Sequence, residues 1–510
     1  MIRDPNFVNK ITQSIKWSYI ATIVQSILRI FFIAVLARLL EPATFGLIAI
    51  VNAVLELFNY FVQIGTGHAI IQKEKLSTED IRAAFTLSLL YGIFAFAVIW
   101  MAAPLVTLLL NDPQIVYVLR IMSTILLFTG FASTSLSLLT RSLNFRYIAI
   151  IHIISHIIGY GILGIILAFN GFGVWSIVAA TVATAAISSI MAYALTKHNL
   201  MPLIKLNYIK PIFLFGFKVS SINLLELFGS KLDTFIIGRL IGAASLGIYN
   251  RAFMLVYFPI HRFTISLSRV LLPSFSKMQL DFKRLKDAYV SSIIIYLALV
   301  IPACAGIVVA AEEIILVILG SRWIAAIPIL RILAIAIPLN LFCYINKAIC
   351  ESMAYLKNIF ILQLGYITLL VILFTLLKGF GLIGFAVAVT LGAIFLNGGY
   401  FYLIKKILKI NYSRIFATYY PGILNGAIVF CALFFASSLL RNMETRVWII
   451  FIIQLLLGFL LLLFLTFITP SRLLKREIER YISLLYSTEK EAIPKNGLLG
   501  WYYEYLKTLS

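Results

Sequence analysis

The sequence predicts an all-α polytopic membrane protein of about 14 transmembrane helices, built as two six-helix lobes from an internal duplication plus two C-terminal helices. Three observations carry that prediction. Of the 510 residues, 62% are apolar and 12% are charged, with a mean hydropathy of +1.02. Soluble domains average about 45–50% apolar and about 25% charged. The apolar residues fall in unbroken runs of about 20, the length a helix needs to cross a bilayer core about 30 Å thick. Finally, three stretches of the N-terminal half recur in the same order further along the chain. A β-barrel is excluded because the runs lack period-two alternation.

The elements follow in order. Residues 1–14 are polar and read as a cytoplasmic N-terminal segment; they show no apolar core followed by a small-residue cleavage site, so no signal peptide is expected. The N-lobe, 15–200, holds spans 15–38, 43–66, 83–110, 115–139, 147–169 and 172–196. The C-lobe, 201–410, holds spans 212–240, 245–272, 288–318, 324–350, 358–377 and 380–404. Spans 415–440 and 447–469 fill residues 411–469. The tail 470–510 alternates basic and apolar residues, as a cytoplasmic amphipathic segment lying on the membrane does. Links are short, with turn signals at Glu41-Pro42, Asn111-Asp112-Pro113, Asn170-Gly171 and Lys378-Gly379.

The net charge of +22 is scattered between apolar runs, so it argues against nucleic acid. Counted on alternate links with the N-terminus inside, 27 Lys and Arg fall on the inner set and 6 on the outer. That asymmetry predicts both termini in the cytoplasm.

The duplication rests on three matches. LARLLEPATFG at 36–46 resembles IGRLIGAASLG at 237–247, an offset of 201. VLRIMS at 118–123 resembles ILRILA at 329–334, an offset of 211, and GFG at 171–173 recurs at 379–381, an offset of 208. An even span count per copy keeps both copies in the same orientation, with the pseudo-two-fold along the membrane normal. Two such lobes around a cleft are an alternating-access layout.

Nine bases lie inside spans: Arg29, Arg120, Lys218, Lys231, Arg251, Arg262, Arg269, Arg331 and Lys347. As acids, only Glu56, Glu226 and Asp233 lie well inside spans, against nine bases. A charge at the bilayer centre costs about 2.5–3.5 kcal/mol on insertion scales, so such residues face a wet cavity or a partner. At about 100° per residue, polar side chains form stripes. Gln25 and Arg29 share a face of span 1, Asn52, Glu56 and Asn59 one of span 2, and Asn223, Glu226, Ser230 and Asp233 one of span 7. On span 8, Arg251, Arg262 and Arg269 align within about 20°, a cationic rail for an anionic headgroup. The acids are candidates for coupling to H⁺ or Na⁺. The competing reading makes Arg29–Glu56 and Asp233–Arg251 ion pairs that register helices, and lets Lys218, Arg269 and Lys347 snorkel to the inner surface.

Other chemistry is not in view. Cys304, Cys343, Cys350 and Cys431 lie in apolar stretches without a CxxC. His152 and His156 are spaced i, i+4, but no carboxylate joins them on their span, so no metal is expected. There is no Walker loop, and the large outer loops that a polymerase or glycosyltransferase needs are missing, so the chain reads as no enzyme.

Several stretches resemble one family. They are Lys16-Trp17, Ala37-Arg38-Leu39 with Phe45-Gly46, and Ile70 to Lys73; then GAASLGIYNRA at 242–252, Pro259, VLLPSFS at 270–276, Gly320 to Trp323, and Pro328 to Leu330. Over about residues 10–410 the chain resembles the polysaccharide transporters of the multidrug/oligosaccharidyl-lipid/polysaccharide superfamily, in the colanic acid exporter and teichuronic acid translocase branch. The resemblance implies a flippase in the bacterial cytoplasmic membrane. It would move undecaprenyl-pyrophosphate-linked oligosaccharide to the outer leaflet, with a polysaccharide polymerase and other export proteins as partners. It further implies Arg29, Arg251 and Arg262 as bases of a cationic lumen. Gln63 stands where an acid would be expected, which departs from the pattern on span 2. A drug antiporter of the same superfamily predicts an acidic cleft instead.

Overall fold

The computed structural model describes residues 5–73, 76–108, 112–204, 227–468 and 474–475. Every regular element among them is helical. The chain divides into two compact units, residues 1–250 with 318–322, and residues 251–317 with 323–510.

In the first unit, α1 (Pro5–Leu39) is followed by α2 (Pro42–Gln72), which begins on a proline, as suits a first turn whose N–H groups have no partner in the helix. They are followed by α3 (Thr78–Ala102), α4 (Gln114–Arg141), α5 (Phe145–His156), α6 (Ile165–Phe169), α7 (Val174–Thr196), α8 (227–241) and the start of α9 (Ala243–Lys277). A capping box at Ser77 and Asp80 starts α3. Helix α4 packs against α2, α3 and α7. Its buried face is hydroxyl-rich: Ser135 Oγ meets Thr196 and His198, each at 3.1 Å, and Ser189 Oγ donates to the Phe128 carbonyl at 2.8 Å. Small hydroxyl residues let membrane helices approach and bond across the seam. Between α5 and α6 the helix widens into a π segment, Ile157–Gly164, a form concentrated at functional sites.

The second unit takes the rest of α9, then α10 (Phe282–Val309), α11 (Ala311–Ile314), α12 (Ala326–Ser352), α13 (Leu356–Leu377), α14 (Gly381–Leu408), α15 (Tyr412–Ala417), α16 (Tyr420–Asn442) and α17 (Val447–Leu463). Helix α12 packs against α10 and α14. A polar chain crosses all three: Tyr289 Oη donates to Asn346 Oδ1 (2.8 Å), Asn346 Nδ2 to Asn397 Oδ1 (3.4 Å), and Asn397 Nδ2 to the Leu339 carbonyl (2.9 Å). Pro338 sits inside α12, and these bonds, with Tyr296 Oη on the Pro338 carbonyl, hold the polar backbone beside it.

The duplication is visible in the backbone. Gly173 and Gly381, equivalent in the repeat, share φ/ψ of 55°/−127° and 57°/−143°, a region that side chains exclude. Within the first unit the repeated motif also meets itself. A Cβ on Gly46 would collide with the Ala243 carbonyl, and one on Gly247 would collide with the Pro42 carbonyl. Both pairs are related by the same offset of 201, so this is a reciprocal contact of the kind a two-fold produces.

Eleven stretches among the described residues are long and apolar enough to cross a membrane. The sequence-based figure of fourteen is larger for three reasons. Leu356–Leu408 counts as one stretch although a 3₁₀ turn at Lys378–Phe380 divides it. Only 227–241 of span 7 is described, and α9 carries Arg251, Arg262 and Arg269. Helix α1 already covers Pro5, ahead of the expected start at 15, so the described part of the polar N-terminal segment is helical. The tail, apart from 474–475, lies outside the described residues.

Candidate functional site

In the first unit, α2 turns Asn52 and Glu56 to an exposed face, with Asn59 half-buried one turn on. Lys231 of α8 comes to 2.5 Å from Glu56 Oε2, and the side chains stay 23% and 49% exposed. The sequence reading counted Lys231 among the in-span bases but did not name it as this partner. Asp233, two residues further, is saturated locally. It accepts from the Thr234 N–H (2.6 Å), the Thr234 hydroxyl (3.2 Å) and Tyr249 Oη (3.0 Å). The hydroxyl of exposed Ser230 bonds back to the Leu227 carbonyl at 2.7 Å. Asn223 and Glu226 lie outside the described residues.

Helix α1 packs against α5 and carries half-buried Gln25 and Arg29. One turn beyond Arg29, the Phe32 ring lies 5.8 Å from His156, which in turn lies 4.8 Å from Tyr160. Tyr160 Oη reaches Thr181 Oγ1 of α7 at 2.8 Å. His156 is therefore built into an aromatic and hydroxyl seam at the mouth of the π segment.

In the second unit α9 runs without a break through Pro259. Arg251 is half-buried, and Arg262, near the helix midpoint, is exposed with its guanidinium 5.4 Å over the Phe258 ring. Arg269 belongs to α9, but its side chain lies outside the described residues. Beside the arginines runs an aromatic ladder that the sequence reading passed over. Phe253 stacks on Tyr257 at 5.1 Å, Tyr257 on His261 at 4.4 Å, and His261 meets Tyr344 of α12 edge-on at 6.4 Å. The i, i+4 spacing at 253, 257 and 261 was the signal for it. One helix thus pairs charge on one face with flat rings on the next.

Among the described residues, no cluster of three or more His, Cys, Asp and Glu is placed to hold a metal.

Comparison with known proteins adds identity. Residues 35–328 match a family described as polysaccharide biosynthesis protein. The teichuronic acid biosynthesis protein TuaB of Bacillus subtilis is 25% identical over 334 residues, 65% of this chain and 69% of that one. The succinoglycan biosynthesis transport protein ExoT of Rhizobium meliloti is 27% identical over 64% of this chain and 66% of its own length. The lipopolysaccharide biosynthesis protein WzxC of Escherichia coli is 23% identical over 63% and 65%. The chain thus spans about two thirds of these relatives. Among solved structures, the fold resembles a lipid II flippase MurJ in an inward closed conformation, with a TM-score of 0.69, 17% identity, and coverage of 94% of this chain and 100% of that one. An inward-facing multidrug MATE transporter follows at a TM-score of 0.61 and 17% identity, covering 76% and 95%. The all-helical fold is shared with both.

Proposed function

Because the chain belongs to the polysaccharide biosynthesis protein family, we propose that it is a flippase that carries an undecaprenyl-pyrophosphate-linked oligosaccharide from the inner to the outer leaflet of the bacterial cytoplasmic membrane. Both termini are cytoplasmic in this reading, and the cargo is destined for O-antigen, capsule, exopolysaccharide or teichuronic acid. The observation that carries it is Arg262: an exposed arginine near the midpoint of a 35-residue helix, next to a ladder of aromatic rings. A pyrophosphate linker is an anion that must cross a low-dielectric slab, and a guanidinium offers it a permanent charge with planar, multi-donor pairing. Sugar rings present flat C–H faces and hydroxyl edges. Aromatic faces suit the first, and the stripe of Asn52, Asn59 and Gln25 suits the second. In this reading the polyprenyl tail stays in lipid while the polar headgroup crosses.

Spaced along α9, Arg251, Arg262 and Arg269 cover about 27 Å at a 1.5 Å rise per residue, longer than one headgroup and long enough to pass an anion along. The test is transport. Arg262→Ala is expected to abolish glycan export at normal protein level, and Arg262→Lys to restore part of it by keeping the charge without the planar fork. Full export by Arg262→Ala at normal level overturns the assignment. Coupling to H⁺ or Na⁺ is assigned to Glu56 and Asp233, with Glu226 a third candidate. The resemblance to MATE transporters favours a drug-antiporter reading on fold alone, but an acidic cleft belongs to that reading, and the in-span charge here is basic.

A further inference from the structure

Arg331 is an in-span arginine that the flippase reading leaves without a task. The repeat pairs it with Arg120, 211 residues earlier. The two arginines live differently. In the first unit, Arg120 Nε donates to the Trp100 carbonyl at 3.3 Å, and its guanidinium lies 5.3 Å over the Trp100 ring. Charge and hydrogen bonding are both provided for. In the second unit, the stretch that corresponds to Trp100 at offsets of 208–211 is Val308 to Ala311, so the indole has no counterpart. In its place is a cavity of about 370 Å³, lined by Val308, Val309, Arg331, Phe430, Phe434 and Arg441 among others. Among the described residues Arg331 has no hydrogen bond, ion pair or ring contact, and it is exposed.

The lining has a direction. Phe430 and Phe434 stack on α16 at 6.1 Å, and Arg441 lies near the end of the same helix. At 1.5 Å per residue the cavity wall passes from aromatic to charged over about 16 Å. Arg441 is already neutralised by Glu313 at 2.6 Å and Glu312 at 3.2 Å, which leaves Arg331 as the uncompensated charge. A volume of 370 Å³ falls in the range of about 300–1,000 Å³ typical of small-molecule sites. One positive charge at the helix-end rim above an aromatic wall that runs toward the bilayer middle is the complement of an amphiphile.

The geometry points to a binding site for the phosphodiester of an anionic glycerophospholipid between α10, α12 and α16, with Arg331 on the phosphate and Phe430 and Phe434 along the first part of the acyl chains. An arginine without protein partners at a helix end gains a charge-assisted pair from a lipid phosphate, and basic pockets between membrane helices hold anionic headgroups in this way. The site is separate from the α9 arginines and does not depend on what the chain carries.

The same chemistry could come from the pyrophosphate of a lipid-linked saccharide, and the experiment separates the two. Full-length protein purified in neutral detergent is titrated with phosphatidylglycerol, phosphatidylcholine or undecaprenyl pyrophosphate, and retained lipid is counted by native mass spectrometry. The wild type is expected to retain phosphatidylglycerol over phosphatidylcholine, and Arg331→Ala to bind it about ten-fold more weakly, the worth of one charged hydrogen bond. Val309→Trp is the second variant. It places an indole like that of Trp100 beside the arginine, and is expected to expel the lipid while leaving the charge in place. Equal retention of the two phospholipids by the wild type, or undiminished phosphatidylglycerol binding by both variants, overturns the site. So does undecaprenyl pyrophosphate displacing phosphatidylglycerol at equal concentration, which would return Arg331 to the transport path.

Discussion

In the first unit Lys231 meets Glu56 at 2.5 Å; in the second Arg441 meets Glu313 at 2.6 Å. The distances are alike and the surroundings are not. Glu56 keeps 49% of its side-chain surface exposed, whereas Glu313 keeps 2%. An ion pair in contact with water contributes little, because solvent competes for both charges. A buried carboxylate that loses its cation keeps its desolvation cost and has nothing to offset it. Burial, and not bond length, therefore sorts these pairs into two roles. Arg441 clasps the end of α16 to α11, with bonds from both Nε and Nη2 to the same Glu313 oxygen. Glu56–Lys231 is a contact that can open at small cost.

The largest effect is expected where the buried charge is orphaned. Arg441→Ala should lower stability by about 3–5 kcal/mol. Pairing it with Glu313→Gln should recover a large share, because the uncompensated charge is then gone. Unfolding of the purified chain in detergent, followed by thermal melting, reads both. If Arg441→Ala costs no more than Lys231→Ala, burial does not separate the two pairs.

How much of this was legible in the sequence depends on what each feature needs. Span positions need only one-dimensional hydropathy. The helices Ala326–Ser352 and Val174–Thr196 begin and end within a few residues of the predicted 324–350 and 172–196. The duplication was readable because backbone demands recur as residue types: Gly173 and Gly381 hold the same dihedrals, so both copies keep glycine. The partner of Glu56 was not readable. Helical phase shows which residues share a face, but not which helix stands opposite; it favours Arg29, on the polar face of span 1, and puts Lys231 about 120° from the polar stripe of span 7. The 3.6-residue period also conceals local widening, so nothing in the sequence reading announced the π segment that follows His156. The ladder of Phe253, Tyr257 and His261 is readable by its i, i+4 spacing, although the spacing alone does not separate ring stacking from ordinary apolar packing. Arg331 shows the reverse limit. Its repeat partner was in view, but only the structure shows that Trp100 serves one arginine and a cavity faces the other.

A middle-sized effect should come from the point where the repeat touches itself. Gly46 and Gly247 each leave no room for a Cβ against a backbone carbonyl, so Gly46→Ala and Gly247→Ala should each cost about 1–3 kcal/mol, the range for overpacking. The reciprocal geometry makes a sharper claim. One separation of the two turns relieves both collisions, so the double variant should cost clearly less than the sum of the singles. Strict additivity would mean that the two glycines serve unrelated contacts and that their symmetry is incidental. The same melting experiment decides it.

The smallest effect on stability, and the most informative about transport, is expected at Glu56 and Lys231. The pair is half exposed, so each single neutral variant, Glu56→Gln or Lys231→Met, should change stability by about 0.2–1 kcal/mol. If the pair only registers α2 against α8, exchanging the charges in Glu56→Lys with Lys231→Glu should return transport to its starting level. If Glu56 couples transport to an ion, the exchanged protein should fold equally well, but its transport should lose dependence on the imposed gradient. That difference arises because a carboxylate on α8 takes up its proton or Na⁺ in another place. Reconstituted vesicles with and without a proton or Na⁺ gradient supply the readout. Restored transport with an unchanged gradient response assigns Glu56 to helix registration. Restored folding with gradient-independent transport assigns it to coupling. A stability loss as large as that of Arg441→Ala would break the comparison itself, since the half-exposed pair would then behave as a buried one.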